Sequence, residues 1–263
     1  MSKLAISNIA WPEYLDGQVY GLMERYGFSG LEIAPTRVFP EAPYDRLGEA
    51  SAWAVGLKEQ YGLIIPSIQS IWYGRQEALF GTEEERGILL DHTKKAIDFA
   101  AAIGCRNLVF GCPKNRRLCD GADLEVGIRF FRTIGDYACS KGIVVGMEPN
   151  PSIYGTDYIN DTEAAFQLIG QVGSEGFRLD LDTGTMIQNG EEAAMLKGRV
   201  RYISHVHISE PWLKPIQERE LHRELERLLD AEGYHGYVSI EMGRSDDIRM
   251  IEDVLRYVRE VFA

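Results

Sequence analysis

IVVGMEPNPSIYGTDYINDTEAAFQLIGQVGSEGFRLDLDTGT, residues 143–185, contains one full period of the chain. It opens on a short apolar strand pattern, IVVGME (143–148), and ends on a second, FRLDLD (177–182). Between them lies a polar, glycine-bearing loop and then a stretch, 162–172, with apolar residues at the three- and four-residue spacing of a helix. Strands joined through a helix are parallel neighbours, because a parallel pair needs a long crossover and a hairpin does not.

Outward from this stretch the same unit recurs. Towards the N-terminus the strand patterns are LAISNI (4–9), GLEIA (30–34), LIIPSIQ (63–69) and NLVFG (107–111). Towards the C-terminus they are YISHVHI (202–208) and YVSIEM (237–242), with helices expected near 191–198, 217–232 and 246–261. Glycine and aromatic punctuation precedes several of them, as in RYGFSGLEI, SKGIVVGME and EGYHGYVSIE, where a helix end meets the next strand. Eight units predict an α/β chain folded as one (β/α)8 TIM barrel over residues 1–263, a length that matches the roughly 250 residues usual for that fold. No linker or low-complexity run divides the chain. An open doubly wound sheet is the alternative, but the glycine-rich turn GxGxxG is missing after the first strand.

With 45% hydrophobic and 26% charged residues the chain can bury a full core, which excludes disorder. A net charge of -12 and a pI near 5.0 oppose binding to nucleic acid or to anionic lipid. MSKLAISNIAWPEYLDG has too short an apolar run for a signal peptide, no stretch is long enough to span a membrane, and a cytoplasmic location is expected. Cys105, Cys112, Cys119 and Cys139 form no CxxC pair and are expected as free or buried thiols.

In such a barrel the chemistry gathers at the C-terminal ends of the strands. Glu32, Glu148, Asp182, His207 and Glu241 each end a predicted strand. A carboxylate there can equally cap the following helix. For Glu32 that reading stands level with a functional one. For four successive strands, each ending in a ligand-type residue, it would have to hold four times over. Glu148, Asp182, His207 and Glu241 are therefore expected to share a divalent cation, their hard donor set suiting Mn²⁺, Mg²⁺, Co²⁺ or Zn²⁺ with open positions. Asp180 shares a strand face with Asp182, and only the position at the tip favours Asp182. In HVHIS the same argument selects His207, with His205 one layer lower. His92, His222 and His235 are expected in solvated structural positions.

GMEPNP around Glu148, LDLDTGT around Asp182, HVHIS around His207 and GYHGYVSIEM around Glu241 resemble, in order and separation, the xylose isomerase-like barrel superfamily. The resemblance covers nearly the whole chain. That group includes sugar and sugar-phosphate isomerases and epimerases, ketose 3-epimerases, inosose dehydratases and apurinic-site endonucleases. The resemblance implies one divalent ion, commonly Mn²⁺, on the same four residues, and Glu148 and Glu241 as the pair that removes and returns a proton on opposite sides of a sugar carbon. Relatives of this kind often form dimers or tetramers, so a homo-oligomer is an expectation from the resemblance alone.

Three departures alter the pocket that the resemblance implies. Thr185 stands where relatives carry the histidine of DTGH. PSIQSIW, with Gln69, Ser70 and Trp72, replaces another histidine. Lys214 is the nearest cation where an arginine often follows His207. They argue against the endonuclease branch, whose three-zinc site needs more histidines, and weaken a free-ketose 3-epimerase assignment. Trp11, Trp72 and Trp212 follow strand tips and could pack against a sugar ring. Lys114, Arg116 and Arg117 form a basic loop suited to an anionic substrate group, and Asn150 could donate to a substrate hydroxyl. The expected activity is proton transfer next to a carbonyl of a carbohydrate. The alternatives are a metal-dependent lyase or dehydratase on a keto-sugar or inosose, and a non-catalytic sugar-binding or partner subunit.

Overall fold

The computed structural model describes residues 2–263. Its strands are β1 (Lys3–Ser7), β2 (Gly30–Glu32), β3 (Ser67–Ile68), β4 (Asn107–Phe110), β5 (Val144–Met147), β6 (Phe177–Asp182), β7 (Ile203–Ile208) and β8 (Tyr237–Ile240). They are all parallel and follow the order β2-β1-β8-β7-β6-β5-β4-β3. Bridges Gly30–Ile64 and Ile33–Ile68 join the two ends of that sheet, so the strands form a nearly closed barrel. Around it run α1 (Asp16–Tyr26), α2 (Pro35–Val38), α3 (Leu47–Tyr61), α4 (Glu83–Ala102), α5 (Leu124–Ser140), α6 (Thr162–Val172), α7 (Thr183–Asn189), α8 (Glu220–Ala231) and α9 (Ile248–Phe262).

The strands are buried on both faces, since the barrel interior lies on one side and the helices on the other. Leu31, Leu108, Val145, Leu179, Val206 and Val238 show no accessible surface at all. At Gly30 a Cβ would fall 2.7 Å from the Tyr237 ring and 2.8 Å from Ala5 Cβ, so only glycine lets β2 approach β1 and β8 this closely. On the outside α9 buries Ile251, Val254, Leu255, Val258 and Phe262 along one stripe, each such side chain contributing roughly 1.5–3 kcal/mol of transfer free energy.

Three expectations are corrected. LIIPSIQ yields only the two-residue β3, because Pro66 has no N–H to give to a neighbouring strand. The helix expected at 191–198 is a single 3-10 turn, Ala193–Leu196. The helix of that unit is α7, which starts directly at the strand tip because Asp182 accepts from the N–H groups of Gly184 and Thr185, and which ends where Gly190 takes φ 68°. His222 is not solvated but fully buried, its Nδ1 2.9 Å from the Tyr257 hydroxyl.

Candidate metal centre

The tips of β5 to β8 carry the four residues to one place. Asp182 is the last residue of β6 and is paired in register with His207 on β7. Glu148 and Glu241 each follow a strand by one residue, and both continue the ladder, with Glu148 N–H on Phe110 O (3.1 Å) and Glu241 N–H on Ile208 O (2.9 Å). One donor atom from each of Glu148, Asp182, His207 and Glu241 lies within 4.8 Å of all the others. His207 Nδ1 is 3.0 Å from Glu148 Oε1 and 3.5 Å from Glu241 Oε2.

His207, Asp182 and Glu148 each have a partner behind them. The second imidazole nitrogen of His207, Nε2, lies 3.0 Å and 3.1 Å from the two oxygens of Glu32. With Nε2–H donated to Glu32, Nδ1 presents its lone pair to the centre, the arrangement that orients metal-binding histidines. Glu32 is in turn held by Gln69 Nε2 at 3.1 Å, and its other oxygen lies 2.7 Å from His205 Nε2. Asp182 accepts from Ser209 Oγ, and from the N–H and hydroxyl of Thr185 at 2.8 Å each. Glu148 Oε2 accepts from Asn150 Nδ2 at 2.9 Å. The amide of Asn150 is oriented by Arg116, whose Nη2 donates to Asn150 Oδ1 at 2.8 Å and to Glu148 O at 3.0 Å. A guanidinium can only donate, so it takes the amide oxygen and leaves the amide nitrogen for Glu148.

The electrostatics follow from packing acids together out of water. Burial raises the Asp182 carboxyl above its ordinary range, and the Glu148 charge adds to this. Burial likewise raises Glu241 and, one layer down, Asp180 well above theirs. Burial also acts to raise Glu32, but the charges of His207 and His205 outweigh it and hold Glu32 well below the usual range. On His207 burial acts downward, yet Asp180, Glu32 and Glu241 together lift the imidazole well above its normal value. The centre thus packs acids whose burial and mutual repulsion favour their protonated forms around an imidazole that favours its charged form.

The remaining residues singled out in the sequence divide by burial. Glu32, Gln69, Trp72 and Arg116, candidates for contact with substrate, are all buried among protein groups. Trp72 donates its indole N–H to Thr93 and stacks edge-on against Phe110, while Arg116 is wholly enclosed, its loop turning it inward. Thr185 is also fully buried, with its hydroxyl shared between Pro149 O and Asp182. Trp11 is buried, bonded to Asp16 and covered by the Arg37 guanidinium. Trp212 is 59% exposed and meets Tyr154 edge to face, and Lys114, Arg117 and Lys214 are exposed.

Two contributors gave no signal in the sequence. Ser209 orients Asp182, but a serine two residues after a histidine has no distinctive spacing. Gly111, at the end of β4, is glycine because the Glu148 carboxylate fills the space a Cβ would need.

The fold has many solved counterparts. The 3-keto-D-glucoside 4-epimerase YcjR of E. coli is 21% identical, with a TM-score of 0.77 over 99% of this chain and 100% of that one. A D-psicose 3-epimerase of Clostridium cellulolyticum H10 is 17% identical, with a TM-score of 0.78 over 99% of both chains. A protein described as AP endonuclease, family 2, from Brucella melitensis is 21% identical, with a TM-score of 0.77 over the full length of both. At these identities the likeness is one of fold. No curated protein matches the sequence. The family described as the xylose isomerase-like TIM barrel matches residues 21–261, and the chain belongs to that family.

Proposed function

We propose that the chain is a divalent-metal-dependent isomerase or epimerase that moves a proton at the carbon next to a carbonyl of a carbohydrate. The observation carrying this reading is the convergence of Glu148, Asp182, His207 and Glu241 within 4.8 Å at the barrel mouth. The donor set fits a hard divalent cation such as Mn²⁺: three carboxylates and one imidazole nitrogen, whose buried negative charge a cation would offset. When bound, that ion supplies Lewis acidity towards a carbonyl or hydroxyl oxygen of the substrate.

The protein's own part is proton transfer. Glu148 and Glu241 come from strands separated by β6 and β7, so they approach the shared cavity from different sides. That suits removal of a proton from one face of a carbon and its return at the other. Asn150, backed by Arg116, fixes the Glu148 carboxylate, and Asp182 is clamped by Ser209 and Thr185. The presence of sugar epimerases among proteins of the same fold supports the same reading.

The test combines elemental analysis of the purified protein with a screen of ketoses, sugar phosphates and keto-glycosides for exchange of the α proton in D₂O. About one divalent ion per chain is expected, and Glu148→Gln and Glu241→Gln should each slow exchange by roughly 10²-fold or more. Unchanged exchange in both variants, or failure to retain any divalent ion, would overturn the proposal. Release of an unsaturated product absorbing in the ultraviolet would replace epimerisation with elimination.

A further inference from the structure

A depression in the barrel's surface is lined by none of the four centre residues. A cleft of about 810 Å³ opens over the ends of β1, β2 and β3, its lining including Trp11, Arg37, Tyr73, Arg75, His92 and Arg244. The three arginines come from three different places: α2, the loop after β3 and the loop after β8. Among the described residues Glu13 is the one carboxylate on the lining against three arginines, an arginine-rich patch in a chain whose net charge is -12, with Arg37 and Arg75 paired to Asp16 and Glu77 behind it.

The arginines are not equally committed. Arg37 is paired with Asp16 and packed over the Trp11 ring at 5.6 Å. Arg75 reaches Glu77 at 3.2 Å. Arg244 is exposed and forms no ion pair among the described residues. Its loop is nonetheless fixed: Gly243 N–H donates to Leu213 O at 2.7 Å, Ser245 N–H to Ala10 O at 2.9 Å, and the Tyr14 hydroxyl to Asp246 at 2.5 Å. The guanidinium is therefore carried by an anchored rim.

The cleft is joined to the centre through the strand tips. Arg244 lies just beyond Glu241 in the chain, and Ser70, at φ 56° on the cleft wall, follows Gln69, which holds Glu32 behind His207. A molecule spanning the mouth would meet clustered carboxylates at one end and clustered guanidiniums at the other. An anionic group is repelled by the first and attracted by the second, so the field alone would fix which way such a molecule lies.

We propose that this cleft is an oxyanion subsite, which takes the terminal phosphate or carboxylate of a sugar phosphate or sugar acid whose carbonyl end reaches Glu148 and Glu241. Guanidinium forks match both groups, donating two parallel N–H bonds to a pair of oxygens. The assignment of the carbonyl end rests on the proposed function; the anion site itself does not.

Inorganic phosphate and acetate are the probes, titrated calorimetrically into the full chain after chelator treatment and again after loading with Mn²⁺. Phosphate is expected to bind the metal-free chain, and to bind roughly tenfold or more weakly in Arg244→Ala and Arg75→Ala. Acetate binding with the same arginine dependence, and tighter than phosphate, would assign the subsite to sugar acids. The subsite is refuted if neither anion binds the metal-free chain in the millimolar range, or if both arginine variants bind as the parent does. Manganese titration of the same samples separates the two claims: loss of Mn²⁺ binding with phosphate binding retained sinks the isomerase reading and leaves the subsite standing.

Discussion

Glu32 is fully buried with an oxygen 3.0 Å from His207 Nε2, and we infer that it decides which imidazole nitrogen faces the other three acids. Partners of this kind typically influence metal affinity by 10–100-fold. Glu32→Gln should therefore weaken Mn²⁺ binding by roughly that factor, measured by competition with a chelator, while far-ultraviolet circular dichroism stays unchanged. Equal affinity in parent and variant would show that Glu32 does not orient the histidine. The four residues at the centre were legible because each ends its own strand and the strands are consecutive. The role of Glu32 was not, because its partner lies 175 residues away and only barrel closure makes them neighbours. The burial of Arg116 was hidden for a related reason: a basic loop in an acidic chain suggests an anion site, and nothing in CPKNRR reveals which of its cations turns inward.

Elements locate these residues through their ends. β4 ends at Phe110, and the glycine after it leaves room for Glu148 from the neighbouring β5. Gly111→Ala would put a methyl group where the Glu148 carboxylate now lies, with Asn150 Oδ1 3.5 Å away and Arg116 behind it, so the carboxylate must move. The expected result is a protein that still folds but binds Mn²⁺ at least about tenfold more weakly, read from the same chelator competition. Retention of full affinity would show that Glu148 has freedom to move without cost. The order of elements could be read from the alternation of apolar strands and periodic helices, whereas α7 could not: its start is set by the cap that Asp182 provides, and its sequence, TGTMIQN, has little helical pattern. β3 was overextended because the run opens on the apolar LII (63–65), while the ladder depends on N–H groups that Pro66 lacks.

For the molecule as a whole, acid stability turns on buried groups of opposite behaviour. Burial lowers the His222 imidazole from 6.5 to about 4. Between those two values the unfolded chain binds a proton that the folded chain refuses, so unfolding takes up the proton and stability falls as pH drops. The full effect is roughly 3 kcal/mol at pH below 4. Asp180 and Glu241, raised by burial, act the other way, since their folded forms keep protons that the unfolded chain releases. Comparison of urea unfolding at pH 7 and pH 4.5 in the parent and in His222→Gln isolates the histidine: the parent should lose more stability on acidification than the variant, and identical losses would exclude it. The closure of the barrel has its own consequence. β2 and β3 and the residues flanking them meet through four backbone hydrogen bonds, Ile64 N–H to Ser29 O, Leu31 N–H to Ile64 O, Ile33 N–H to Ser67 O and Gln69 N–H to Ile33 O, beside a proline. That seam should therefore open ahead of the longer β6–β7 ladder, and its amides are expected to trade hydrogen for deuterium first. Because Glu32 and Gln69 both border the seam, each opening would also loosen the hold on His207, coupling barrel closure to the imidazole at the centre.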